Sequence, residues 1–432
     1  MPRARRHRQI KITGGRVIDP ANRLDAVRDV YIVKGRIAAI GKAPEDFDAT
    51  LDIDARGCIV CPGLIDLCAR PREPGQEHKA TIATESRAAA GSGITTLCCP
   101  PDTSPVIDTP AVAELIRLRA AAAGKTRIVT LGALTRGLGG EQLSEMAALK
   151  RAGCVGVSNG LRPLANSLVQ RRALEYAASF DLTVFLSASD RWLANDGCAH
   201  EGRVSTRLGL PGIPEAAETA AVARDLALIE QTGVRAHFSH LTSGRAAQMV
   251  ARAQFDGLPV TADVAIPYLF LSEMDISDFD SNCHLMPPLR TVEDRQRLRD
   301  ALQRGTFSAL CSDHQPHEPD AKQGPFPATE PGISGLDTLL PLGLQLVDEK
   351  VLELGELIHR LTAGPAAILG LAQGTLAVEA AADICIFNPE TTWRLDPTTM
   401  QSNAHNTPFL GREMKGRVMH TLLDGSPVYS LS

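Results

Sequence analysis

The chain lacks any long uninterrupted apolar run. Nothing in its 432 residues approaches the ~20 apolar residues a helix needs to span a bilayer. It also lacks an excess of either charge. Lys and Arg number 45 against 50 Asp and Glu, a net of −5, so no global field favours nucleic acid or a membrane surface. No apolar segment follows the basic start (Arg3, Arg5, Arg6, Arg8), which argues against a secretory signal. A solvated basic tail over residues 1–8 is expected instead. Among ten cysteines, Cys58 and Cys61 make one CxxC, with no second Cys or His pair at zinc-finger spacing. Cys98, Cys99, Cys154, Cys311 and Cys385 sit in apolar runs, where reduced core cysteines of a cytoplasmic protein belong. There is no internal repeat and no low-complexity linker.

What is present is an ordinary globular composition, 44% hydrophobic and 22% charged, in two textures. Residues 9–61 alternate apolar and polar positions between glycines, and residues 374–430 do the same. Both ends read as antiparallel strands, expected to pair into one small β-sandwich. Between them, over 62–373, apolar runs fall at 64–67, 94–99, 127–131, 154–158, 183–186, 236–239, 260–264 and 307–311. Helical stretches separate them, at 110–123, 141–151, 168–179, 216–231 and 292–304. Alternating strand and helix of this count predicts an α/β fold, a (β/α)₈ TIM barrel.

Barrel sites form at the C-terminal ends of the strands. The first run ends at Cys68-Ala69-Arg70, with 68 and 70 on one face. The fourth ends at Ser158-Asn159-Gly160, the fifth at Ser187, the sixth at His240, and the eighth at Asp313-His314-Gln315-Pro316-His317. His240, Asp313, His314 and His317 are therefore the clustered metal-type candidates. Taken singly, each also fits a plain hydrogen-bonded role at a strand end.

Several segments resemble the dihydroorotases of the amidohydrolase superfamily. The stretch from Gly63 through Asp66 to Gly75 is similar to PGLIDLHVHLREPG, and Gly93 to Thr103 to GFTTVCCMPNT. Gly209 to Glu218, Pro287-Pro288-Leu289-Arg290 and Gly332 to Thr338 are also family-like. The resemblance covers about residues 9–429. It implies a barrel of amidohydrolase type, with the sandwich attached, and a binuclear zinc site for hydrolysing a cyclic amide.

Carried over residue by residue, the implied site is broken. The two histidines of the first strand are Cys68 and Arg70. The fourth-strand aspartate falls at Asn159 or Gly160, and the fifth-strand histidine at Ser187. Only the ligand His240 and the aspartate Asp313 remain. Among family substrate contacts, Arg72, His317 and Gly332 are kept, while Asp102 and Met286 replace asparagines. Zinc needs three or four protein ligands, so no metal cofactor is expected. Arg70 adds a fixed cation: unit charges ~4 Å apart at an effective dielectric of ~20 interact at about 4 kcal/mol, and a dication feels about twice that. Asp313 is expected to pair with Arg70 instead, because the first and eighth strands are neighbours.

The resemblance is nearest to inactive dihydroorotase-like chains that assemble with aspartate transcarbamoylase in some bacteria. It implies a self-associating, non-catalytic partner of that enzyme, with no nucleic-acid or membrane role. Two other readings stand beside it. One is a working hydrolase with an altered or single-metal zinc site, Cys68 as soft ligand and Asp313 as base. The other is a sensor that binds an anion through Arg72 without turnover.

Overall fold

In the computed structural model, residues 9–431 are described; the expected basic tail over 1–8 lies outside them. Eight parallel strands form the barrel: Leu64–Asp66, Ile94–Cys99, Arg127–Ala133, Gly156–Ser158, Val184–Ser187, Ala236–Ser239, Val260–Ala265 and Ala309–Cys311. Their order in the sheet is their order in the chain. The ring closes past the last strand. Arg70 donates its N–H to the His314 carbonyl at 2.9 Å, and His314 returns one to Cys68 at 3.2 Å. Strands covered on both faces read as continuous apolar runs, and the second strand is buried at all six positions.

Helices pack outside this ring, and several begin as the sequence predicts. The Thr291 hydroxyl accepts from the Asp294 N–H at 3.0 Å and caps Val292–Gln303. One expectation fails in part. The helix expected over 141–151 begins only at Met146. The residues before it are used in the loop after the third strand: Arg136 donates to the Gln142 carbonyl and Ser144 to Leu134. Backbone bonds within that loop, spanning six and ten residues, outweigh local helix preference.

The two chain ends meet as expected. A six-stranded sheet orders Ser426–Ser430, Glu413–Leu423, Ile384–Arg394, Ile59–Pro62, Arg16–Asp19 and Leu24–Val27, so C-terminal and N-terminal strands are hydrogen-bonded neighbours. A four-stranded sheet of Arg36–Ile40, Val30–Val33, Ile10–Thr13 and Leu51–Asp54 packs against it. Ile10, Ile12, Ile32 and Ile37 from the smaller sheet share a core with Val60, Ile384, Ile386 and Leu422 from the larger. This sandwich is fastened to the barrel. Arg127 Nη1 lies 2.7 Å from Asp383 Oδ2, and the Thr421 hydroxyl donates to Ala90 O at 2.7 Å. Gly93, at φ +80°, lets the second barrel strand start against Cys385, where an added Cβ would fall 2.5 Å from the sulfur.

Candidate functional site

The mouth of the barrel is organised around Arg70. Two residues past the first strand's inward-facing Cys68, its side chain is 6% exposed. Nη1 lies 2.9 Å from Asp313 Oδ1 and 3.5 Å from Cys68 Sγ, and Nε lies 2.9 Å from Asp102 Oδ2. The expected Arg70–Asp313 pair forms. Asp102 is a partner that the sequence reading missed. A signal was there: Arg70 and Asp102 both depart from the family pattern, and their charges are opposite. Burial alone would disfavour the guanidinium charge, but Asp102, Cys68 and Asp313 together hold its pKa well above the usual value. Burial pushes the Cys68 thiol far up, against the pull of Arg70.

Asp313 is fully engaged. Besides Arg70 it accepts from Gln315 Nε2 at 3.1 Å and from the Cys68 thiol at 3.5 Å. His240 stands opposite, its Nε2 3.9 Å from Asp313 Oδ1. Both residues carry positive φ, 54° for His240 and 45° for Asp313, a conformation that non-glycine residues rarely hold. The His240 backbone N–H is tied to Asp263 Oδ1 at 2.7 Å, yet neither ring nitrogen has a partner. Asp263 also binds His237 Nε2 at 2.9 Å and lies within 3.7 Å of the Cys311 sulfur. This buried second layer was not anticipated from sequence.

The cluster expected at 313–317 is not one cluster. His314 turns away from Asp313 and is wholly buried. Its Nε2 lies 2.8 Å from Glu85 Oε2, and its Nδ1 accepts from the Gly335 N–H at 3.1 Å. An Nδ1 that accepts leaves the proton on Nε2, so the ring is a neutral donor to Glu85. Ser402 donates to the same carboxylate oxygen at 2.9 Å. His314 is therefore no ligand candidate, because both its nitrogens are spent on fixing the loop that closes the barrel. His317 lies apart as well, with Arg72 Nη2 2.9 Å from its Nε2 and Lys79 Nζ 3.3 Å from its Nδ1. Burial and those two cations push its pKa down to about 2.

Arg72 also donates through Nε to Pro316 O at 3.0 Å and through Nη1 to Gln76 Oε1 at 3.3 Å. All three of its nitrogens thus face protein partners, and burial with Arg70 nearby pulls its pKa down to about 10. A carboxylate ligand would have to displace these contacts. Gly332 (φ +129°) donates to His284 O at 2.8 Å, and a Cβ there would meet Gln315. It shapes the rim through its backbone.

The fourth and fifth strands supply no ligand. The Asn159 amide accepts from Thr135 Oγ1 at 2.7 Å and donates to Arg162 O at 2.7 Å. Gly160, at φ +58°, has no side chain and passes Asp102 closely. Ser187 lines a groove of about 180 Å³ with Met286 and Arg290. Among the described residues two sets of donors converge, each within 4.8 Å: Cys68, His240 and Asp313, and, sharing the same imidazole, His240, Asp263 and Cys311. Arg70 Nη1 occupies the first set beside Cys68 and Asp313, and Asp263 of the second is already held by His237 and the His240 N–H. A binuclear zinc centre does not fit this arrangement.

Comparison with known proteins agrees with this architecture. A family profile described as "Dihydro-orotase-like" matches residues 57–246, and one for an amidohydrolase family matches 330–429. A "Dihydroorotase-like protein" of Pseudomonas aeruginosa is 53% identical, over 96% of this chain and 98% of its own. A "Dihydroorotase" of Syntrophotalea carbinolica is 45% identical, over 98% of this chain and all of its own. Among solved structures, the L-hydantoinase (dihydropyrimidinase) of Arthrobacter aurescens superposes with a TM-score of 0.87 at 22% identity, covering 98% of each chain, a likeness of fold. Full-length identity on this scale, with the barrel, the two-ended sandwich and the strand-end motifs, makes the chain a member of the dihydroorotase family of the amidohydrolase superfamily.

Proposed function

We propose that this chain is a non-catalytic dihydroorotase-like subunit of de novo pyrimidine biosynthesis, serving as a structural partner of aspartate transcarbamoylase. The observation that carries the reading is the Arg70 guanidinium, 2.9 Å from Asp313 and 2.9 Å from Asp102. A fixed cation satisfies the two carboxylates in place of a metal, so no ionised water is available to attack an amide. The fold is kept while its chemistry is dismantled, which fits selection for assembly. The "Dihydroorotase-like protein" of Pseudomonas aeruginosa, 53% identical, supports the dihydroorotase-like part of this reading. A self-associating chain that also grips catalytic trimers would give a closed, symmetric assembly in the cytoplasm. Among the described residues no helix is long and apolar enough to cross a membrane.

Coexpression with the transcarbamoylase of the same host tests the proposal. One large species should elute, and transcarbamoylase activity or stability should fall when this chain is left out. Separate elution at micromolar concentration, with the transcarbamoylase indifferent to this chain, defeats it. A second reading, a single-metal hydrolase with Asp313 as base, draws on the convergence of Cys68, His240 and Asp313. The position of Arg70 weighs against it. Stoichiometric zinc together with dihydroorotate turnover in the unmodified protein would install it instead.

A further inference from the structure

The end of the barrel away from the mouth holds a cavity of about 830 Å³, where the fourth to eighth strands begin. Small-molecule sites commonly measure about 300–1,000 Å³. This face of a barrel ordinarily serves stability alone. The room comes from small residues. The barrel's last helix, Ala363–Leu369, lines the space with Ala363, Gly364 and Ala367, and Gly153 and Gly370 border it. Gly364 has a further reason to be glycine: a Cβ there would run into Ser308 O, so the helix could not lie against the start of the eighth strand.

The lining has two characters. Leu182, Leu258, Val260 and Ile368 make it apolar over much of its extent. At the turn of residues 180–181 two cations converge. Lys150 Nζ lies 2.6 Å from Phe180 O and 3.4 Å from Asp181 O, and Arg235 Nη2 lies 3.2 Å from that same Asp181 O. Asp181 is the one acid of the lining, and its 2.9 Å pair with Arg235 is exposed on both sides, so it opens at little cost. Burial and Arg360 lower the pKa of His359, which therefore adds no cation near neutral pH. Among the described residues nothing bonds Arg235 Nε or Nη1, whereas Arg72 at the mouth has every nitrogen committed.

We infer that this cavity is a binding site for a small amphipathic anion, with an apolar body against Leu182, Leu258 and Ile368 and a carboxylate held by Lys150 and Arg235. The two free nitrogens of Arg235 suit a two-oxygen group, and Lys150 adds a point charge beside it. Apolar contact supplies affinity without choosing the charge; the cation pair chooses it. An acyl chain and an aromatic acid share this chemistry. The site lies at the opposite end of the barrel from Arg70 and Asp313, so it goes beyond the non-catalytic reading and does not rest on it.

Calorimetric titration of the full chain with octanoate, 2-naphthoate, 1-octanol and octylammonium tests it. At least one of the two anions should bind, one per chain, and the tighter of them tells an acyl from an aromatic source. Octanol and octylammonium should each bind at least about ten-fold more weakly than the better anion. Arg235→Gln should weaken that anion about ten-fold, and Arg235→Lys should recover most of the loss. Ala367→Trp should abolish binding by filling the space. Ala367 is exposed, so the indole enters the cavity and not the core. If Ala367→Trp fails to fold, the exposed Arg235 variants still decide. The inference is overturned if neither anion binds by about 1 mM, if octanol binds as well as octanoate, if Arg235→Gln binds like the unmodified chain, or if folded Ala367→Trp does. None of these outcomes bears on co-elution with the transcarbamoylase, so the two proposals fail separately.

Discussion

Two histidines at the barrel mouth are almost equally buried, and they differ in every other respect. His314, just past the eighth strand, has both nitrogens occupied, by Glu85 and by the Gly335 N–H. His240, just past the sixth, has neither. Residue type and burial therefore do not separate a structural histidine from a ligand-like one; the state of the two ring nitrogens does. His314 belongs to a closed network that ties the first helix to the last strand of the barrel. His240 belongs to an open one, in which the Asp313 oxygen nearest its ring is held by Arg70 instead.

The sharpest way to break this comparison is to truncate each histidine. His314→Ala leaves the Glu85 carboxylate buried with hydroxyl partners alone, the expensive half of a broken buried pair. It should cost about 3–5 kcal/mol. His240→Ala removes no hydrogen bond from its ring and should cost about 1–2 kcal/mol, chiefly lost packing. Urea unfolding of the two variants measures the difference. Equal losses would mean that ring partners do not distinguish the two roles.

A smaller effect separates His317 from both. Its folded pKa is pushed down to about 2, while the unfolded chain protonates near ~6.5. Stability carried by the neutral ring is complete above pH 6.5 and is lost as pH falls below it, at roughly 1.4 kcal/mol per pH unit. Between pH 7 and pH 5 the unmodified chain should lose about 2 kcal/mol that His317→Gln does not lose. Parallel pH dependences for the two proteins would show that Arg72 and Lys79 do not press on this ring.

These contrasts also mark what was legible in the sequence. The barrel was, because short apolar runs alternate with amphipathic helical stretches eight times over. The sandwich was, because alternation survives at both ends of the chain. The Arg70–Asp313 pair followed from strand adjacency alone. His314 was misplaced because its ring partners, Glu85 and the Gly335 N–H, lie 229 residues before it and 21 after it, beyond the reach of any local pattern. The helix before Arg151 started late for a nearer reason, through backbone bonds made within the loop that precedes it. The openness of His240 needs three dimensions, since a lack of partners leaves no trace in a motif.

The smallest expected effect is on turnover. Cys68→His with Arg70→His restores the pair of imidazoles that the family carries on the first strand and removes the guanidinium from Asp313. It leaves the rest of the constellation unmade. The Asn159 amide is committed to Thr135 and Arg162, Gly160 has no side chain, and Ser187 offers only a hydroxyl. Groups that act as a unit return little when only some are restored. The double variant should therefore gain metal, through the new imidazoles together with His240 and Asp313, and still not hydrolyse a cyclic amide above a no-enzyme control. A dihydroorotase assay on the metal-loaded variant decides the matter. Turnover there would mean that the fourth and fifth strands are dispensable, and that Arg70 and Cys68 alone separate this chain from an enzyme.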